Sequence, residues 1–274
     1  MCNLLHSARG PSMIKINLAS FLILLSVSPV RAANRLMLAD GWQLQSSRQV
    51  KQAGDLISKP GYVATGWMGV TVPTTVVAAQ VKLGQLPDPF FGKNIRSYPG
   101  MSYPIGENFS NLPMPADSPY AVSWWYRKSF VIPAAEHGKA IWLNFRGINY
   151  RANIWLNGKQ IAKADEVAGA WRTNEFNVTE AARTGAENAL AVQVMGPTET
   201  DLAITFVDWN PAPPDKNMGL WREVYVSTSG PVAVRHSSVV SHVDTVMDAS
   251  LLVTAQLKNG SNQPVHGTLK GTID

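Results

Sequence analysis

Five acidic residues, Asp88, Glu107, Asp117, Asp208 and Asp215, fall in stretches of loop composition, where a carboxylate can reach a bound molecule. Two carboxylates flanking a glycosidic bond, about 5–10 Å apart, are what hydrolysis of that bond requires. Spacing along the chain establishes no such pair, and most of these acids read as solvated or turn-forming. Asp208 stands apart, because it lies between Val207 and Trp209, where an apolar run meets a Pro-rich segment. A carboxylate beside an indole suits a sugar: the oxygens accept from two hydroxyls while the ring stacks on the C–H face.

Other chemistries find little support. The sequence contains no G-x-S-x-G elbow, no H-E-x-x-H and no Gly-rich phosphate loop. His236 and His242 are six apart without a matching carboxylate, so no metal site and no cofactor is expected. The formal charge of +5 invites a nucleic-acid reading. Residues 1–33, however, read as a signal peptide cut near Ala32/Ala33. Lys15 precedes an apolar stretch from Leu18 to Val27, and Val30 and Ala32 occupy the small-residue positions before a cut. Met13 suits such a start better than Met1. Without residues 1–32 the balance is 21 basic against 19 acidic residues, and the only cysteine, Cys2, is gone. The expectation is a periplasmic or secreted protein with no nucleic-acid partner, no membrane attachment after cleavage and no disulfide.

Short period-two runs must position the loops. Ile141, Leu143 and Phe145 alternate with Trp142 and Asn144; Ala152, Ile154 and Leu156 form one face, as do Leu190, Val192 and Val194. Trp124, Tyr126 and Phe130 share a side of Trp124–Val131, and Val224 and Val226 alternate likewise. Asn157-Gly158 predicts a tight hairpin turn, since both positions tolerate positive φ. Such strands joined by polar turns indicate an all-β antiparallel sandwich. One helix is predicted after Thr75 as N-cap, ending at Gly84, and a short turn is predicted over Thr179–Ala182 with Thr179 as its cap. Trp42, Trp67, Trp142 and Trp155 read as core or sheet-face aromatics. Gln85–Pro119 and Asp208–Gly219 are Pro-rich but hold aromatics, which predicts ordered loops at one end of the sandwich.

After Gly230-Pro231 the composition shifts to Val, Ser, Thr and His without Trp. Val232–Val240, Ala249–Leu257 and Gly267–Ile273 read as three further strands. Three strands cannot close a sandwich, so 231–274 reads as a second sandwich domain cut short.

Several segments in order then resemble a known family. They are Leu86-Pro-Asp88-Pro-Phe-Phe-Gly-Lys-Asn94, Trp125-Tyr-Arg127-Lys-Ser-Phe130, Phe145-Arg-Gly147-Ile-Asn149-Tyr150-Arg-Ala-Asn-Ile-Trp155-Leu-Asn157-Gly158, and Ile204 to Arg222, with Asp208-Trp209-Asn210-Pro211 at its centre. Together they resemble the N-terminal region of family 2 glycoside hydrolases, and within it the exo-β-D-glucosaminidases, with β-mannosidases and β-galactosidases next. The resemblance implies a jelly-roll-like (galactose-binding-like) sandwich over 34–230, followed by the start of an immunoglobulin-like sandwich over 231–274. It implies that the catalytic carboxylates sit on a C-terminal barrel beyond position 274, so that no catalytic residue is expected in this sequence. Asn174-Glu175, which mimics the family's acid/base dipeptide, is expected in a sandwich turn and has no role.

On the same match, Asp208 binds hydroxyls of the terminal sugar of a glucosamine- or mannose-type oligosaccharide, and Trp209 walls the pocket. Asn210, Asp215 and Asn217 are weaker substrate-binding candidates that suit loop shaping better. Mannosidases carry Gly where Asn210 stands, which leans toward a glucosaminidase. Arg222 is expected to pin the loop to the sandwich. The leading reading is the sugar-binding part of a secreted exo-β-D-glucosaminidase; a stand-alone periplasmic carbohydrate-binding module and a β-mannosidase-type enzyme remain the alternatives.

Overall fold

A computed structural model describes residues 35–102, 112–204, 212–245 and 248–272. The strand order follows the period-two runs. Strands β1 (Arg35–Met37), β2 (Trp42–Ser46), β3 (Met68–Val70) and β4 (Thr74–Thr75) open the chain, with a short helix α1 (Gly54–Ile57) after β2 and α2 (Val76–Lys82) after β4. Then come β5 (Trp124–Val131), β6 (Ala140–Phe145), β7 (Arg151–Leu156), β8 (Lys159–Ala162), β9 (Asn174–Asn177) and β10 (Glu187–Met195). The last four are β11 (Gly219–Leu220), β12 (Val224–Ser229), β13 (Val232–Thr245) and β14 (Asp248–Asn259).

Two antiparallel sheets form the sandwich, one of four strands in the order β1-β12-β6-β9 and one of six in the order β3-β2-β5-β10-β7-β8. Non-sequential neighbours such as β1 beside β12 make this a jelly-roll arrangement, not a meander of hairpins. Leu143, Phe145, Val224 and Val226 of the first sheet bury against Trp42, Tyr126, Ile154 and Val192 of the second in one continuous core. Removing this apolar area from water is the main stabilising term.

Alternation alone understates the burial of the central strands. Ala189 and Ala191 of β10 are buried as fully as Leu190 and Val192, because α1 covers the outer face of the six-stranded sheet. There Ile57, Trp125 and Ala191 form a second small core, with Trp67 and Trp155 packed against it. Gly54 is required at this contact, since a Cβ would lie 2.3 Å from the Trp155 ring. Arg127 reaches into the same layer: its Nε donates to Ile57 O at 3.0 Å, its Nη1 to Gln43 Oε1 and Ser129 Oγ, and its Nη2 to Lys59 O.

Several local expectations hold. Asn157 (φ 53°) and Gly158 (φ 87°) turn β7 into β8. Thr75 caps α2, its hydroxyl accepting from Ala78 N at 3.2 Å, and Gly84 follows in the left-handed region at φ 71°. Trp42 and Trp142 are buried, and Trp155 lies on the sheet face.

Others need correction. The turn over 179–181 forms, closed by Ala181 and Ala182 N–H donating to Val178 O, but Thr179 is not its cap, because its hydroxyl accepts from Ile141 N at 2.9 Å. Asn174-Glu175 lies in β9, paired with β6, and not in a turn. Of the three strands expected after Pro231, β13 and β14 form a hairpin, but residues 260–272 form no strand. Gly260, Pro264, Gly267 and Gly271 interrupt that stretch, and Pro has no N–H to give a ladder.

The contacts divide the chain into two units at Gly230–Pro231. In the hairpin unit, Val239, Val240, Val243, Leu251 and Leu252 are exposed. Residues 1–33, the expected signal peptide, lie outside the described residues. No helix among the described residues is long and apolar enough to cross a membrane.

Candidate functional site

The site is built where α2, the ribbon β4–β11 and the 212–219 loop meet. Gly219 pairs with Thr75 and Leu220 with Thr74, and Val76 N donates to Met218 O at 2.9 Å. The loop therefore lies against the first turn of α2. Gly219 has φ 154°, and a Cβ there would meet Thr74 O and Tyr126 Oη at 2.6 Å. No other residue allows this crossing without displacing the ribbon.

Asp215 is fully buried beneath the loop. Its Oδ2 accepts from Val77 N at 2.8 Å and its Oδ1 from Asn217 N at 2.9 Å. The Thr75 hydroxyl also bonds it. It thus serves as a second cap on α2, satisfying an N–H the helix leaves unpaired. Burial raises its pKa to about 6, against the opposing pull of the bonds from Val77, Asn217 and Thr75. The carboxylate is committed to the loop and closed to solvent. That geometry suits loop shaping and denies Asp215 direct contact with a bound sugar.

Lys216 and Asn217 turn the loop through the left-handed region, at φ 49° and 57°. The turn aims both carbonyls at Asn149, whose Nδ2 donates to Lys216 O at 2.9 Å and Asn217 O at 2.8 Å. Asn149 also exchanges backbone bonds with Gly219, at 2.9 and 2.8 Å. Its Oδ1 is buried without a partner among the described residues. Lys216 Nζ donates to Leu112 O, and burial lowers its pKa. The loop is thereby held from three sides: the helix, the β6–β7 connection and the segment at Leu112.

Asp208, Trp209 and Asn210 lie outside the described residues, as does Glu107. Asn217 lines a cleft of about 730 Å³ between α2, the loop containing Asp88, Phe90 and Ile95, and Pro213. Asp88 lines it too. Sequence reasoning singled out neither Asn149, which fastens the loop, nor Phe90 and Tyr98 of the cleft. The signal for all three lay inside segments quoted for their family resemblance or their aromatics, without a role attached. Among the described residues Arg222 makes no hydrogen bond or ion pair to the loop. It is exposed over the Trp221 ring, and the tie to the sandwich is Trp221 Nε1 donating to Ala170 O at 2.9 Å. Among the described residues, no group of His, Cys, Asp or Glu could hold a metal ion.

A six-on-four jelly roll with its long loops fastened to one helix end defines a galactose-binding-like domain. Residues 117–207 match the family described as glycosyl hydrolase 2 galactose-binding domain-like. The chain is 33% identical over 236 residues to an exo-β-D-glucosaminidase of Streptomyces avermitilis, covering 85% of this chain and 24% of that protein. It is 29% identical to a mannosylglycoprotein endo-β-mannosidase of Lilium longiflorum, covering 82% and 24% respectively. Among solved structures, the exo-chitosanase of Amycolatopsis orientalis superposes with a TM-score of 0.70 at 31% identity, covering 83% of this chain and 24% of that one. Another structure of that enzyme is a complex with PNP-β-D-glucosamine. Residues 117–207 are a family 2 glycoside hydrolase galactose-binding-like domain, and the chain resembles the N-terminal region of that family's exo-β-D-glucosaminidases. It spans about a quarter of the length of these relatives.

Proposed function

We propose that this chain is the sugar-binding part of an exported family 2 exo-β-D-glucosaminidase. Asp208 holds hydroxyls of the terminal glucosamine and Trp209 stacks on its ring, while catalytic carboxylates on a barrel domain cleave the O-glycosyl bond. The observation that carries this reading is the triple fastening of the 212–219 loop by Asp215, Asn149 and Lys216. A binding loop whose base is fixed loses little conformational entropy when sugar arrives. The similarity to glucosaminidases supports the choice of sugar.

The test pairs two measurements. The purified 274-residue chain should leave p-nitrophenyl β-glucosaminide intact. Joined to its barrel, the protein should hydrolyse that substrate in preference to the β-mannoside. Asp208→Ala should lower kcat/KM about 100-fold, the scale of losing a charged group's bonds to substrate, with Tm unchanged. Turnover by the 274-residue chain alone, a mannoside preference, or full activity in Asp208→Ala would each overturn the proposal.

A further inference from the structure

The cleft beside α2 has a lining of its own among the described residues. Val77, Val81, Leu86 and Ile95 supply its apolar lining. Phe90 stands on its edge with 96% of its surface exposed, an unusual placement for a large aromatic ring. The backbone that carries the ring is nonetheless held. Phe90 N donates to Asp88 Oδ1 at 2.9 Å, Asn94 Nδ2 donates to Asp88 O at 2.9 Å, and Tyr98, buried below, donates its hydroxyl to Pro87 O.

Two polar groups in the lining are left available. Asp88 Oδ2 and the side-chain amide of Asn217 have no hydrogen-bond partner among the described residues. Lys82 also lines the cleft, but its ammonium is engaged with Thr71 Oγ1 at 2.9 Å. An aromatic face, a carboxylate oxygen and a carboxamide around a space of about 730 Å³ match a pyranose: a C–H face for the ring and a polar rim for the other two. The carboxylate selects a positively charged rim.

We propose that this cleft is a second saccharide subsite that takes an amino-sugar ring, with Phe90 stacking on its C–H face, Asp88 pairing with its ammonium group and Asn217 bonding a hydroxyl. The choice of amino sugar rests on the glucosaminidase reading; the existence of the subsite rests on the cleft itself.

Calorimetric titration of the full 274-residue chain tests this, with the β-1,4-linked glucosamine dimer and tetramer, the N-acetylated dimer and mannobiose as probes. The expected result is binding of the glucosamine oligomers in preference to the N-acetylated dimer. Asp88→Asn should weaken glucosamine binding about tenfold and abolish that preference, and added salt should weaken the wild type but not the variant. Phe90→Ala should weaken all saccharides. Both side chains are exposed, so unchanged thermal melting will separate lost binding from lost folding.

Wild-type affinity in both cleft variants, or no binding of any probe at millimolar concentration, would overturn the subsite. Loss of binding in Asp208→Ala with none in the cleft variants would sink the subsite and leave the proposed function standing. Loss in the cleft variants with Asp208→Ala unaffected would support the subsite and sink the terminal-sugar assignment.

Discussion

Lowering the pH should tighten the sandwich through one residue. Asp215 has its pKa raised from 3.8 to about 6 by burial, so the folded state holds its proton more tightly than the unfolded chain. Its contribution is fully present below about pH 4 and is lost as pH rises through about 6. A shift of about two units corresponds to about 3 kcal/mol. At pH 4.5, above the unfolded value of 3.8, about 2 kcal/mol of this is present and almost none at pH 7, so for a unit of this size the Tm is about 4–8 °C higher at pH 4.5 than at pH 7 from this group alone. Urea unfolding followed by tryptophan fluorescence reads the sandwich selectively, since no Trp lies beyond residue 230. The control is Asp215→Asn, which is neutral throughout and keeps at most one of the two N–H bonds now made by the carboxylate. It should be less stable at pH 4.5 by about 1–3 kcal/mol and nearly insensitive to pH between 4.5 and 7. Parallel pH profiles for wild type and variant in that window would refute the reasoning.

Gly219→Ala should cost about 3 kcal/mol or more, because the new Cβ meets Thr74 O and Tyr126 Oη at 2.6 Å in a backbone conformation that side chains rarely adopt; a Tm within 2 °C of wild type would contradict it. Gly54→Ala should destabilise by about 1–3 kcal/mol through its clash with Trp155, with quenched or shifted Trp emission as the local readout. Arg127→Lys should cost about 2 kcal/mol in urea unfolding, since one ammonium cannot serve Ile57, Gln43 and Lys59 together. Asp201, bonded twice by Arg151 at 2.5 and 2.7 Å, has its pKa lowered to about 2. Its stabilisation is present above about pH 4 and lost toward pH 2, so Asp201→Asn should flatten the acid limb of the stability curve below pH 4.

Much of the sandwich was legible because its signals are local. The strands of the core alternate, Asn157-Gly158 makes its turn, and Thr75 and Gly84 bound α2 as capping chemistry requires. Misreadings came where a distant partner intervened. Thr179 would cap a turn if its hydroxyl were not taken by Ile141, and Glu175 would sit in a turn if β6 offered no edge to pair with. Asp215 shows the same limit in the candidate site. As a residue in a Pro-rich loop it looks like any acid near a sugar, yet Val77, 138 positions earlier, claims its oxygen.

From the sequence alone followed the all-β sandwich class, the family resemblance and the Asp208-Trp209 pairing of carboxylate with indole. These depend on residue order over a few positions: period-two burial, turn chemistry, a motif. Only the tertiary structure decided that Asp215 is sealed beneath α2, that Asn149 clamps the loop's carbonyls and that Asp88, Phe90 and Asn217 line one cleft. Those facts depend on which segments far apart in the chain come together, and burial, free hydrogen-bonding capacity and a raised pKa are properties of that meeting, not of any residue by itself.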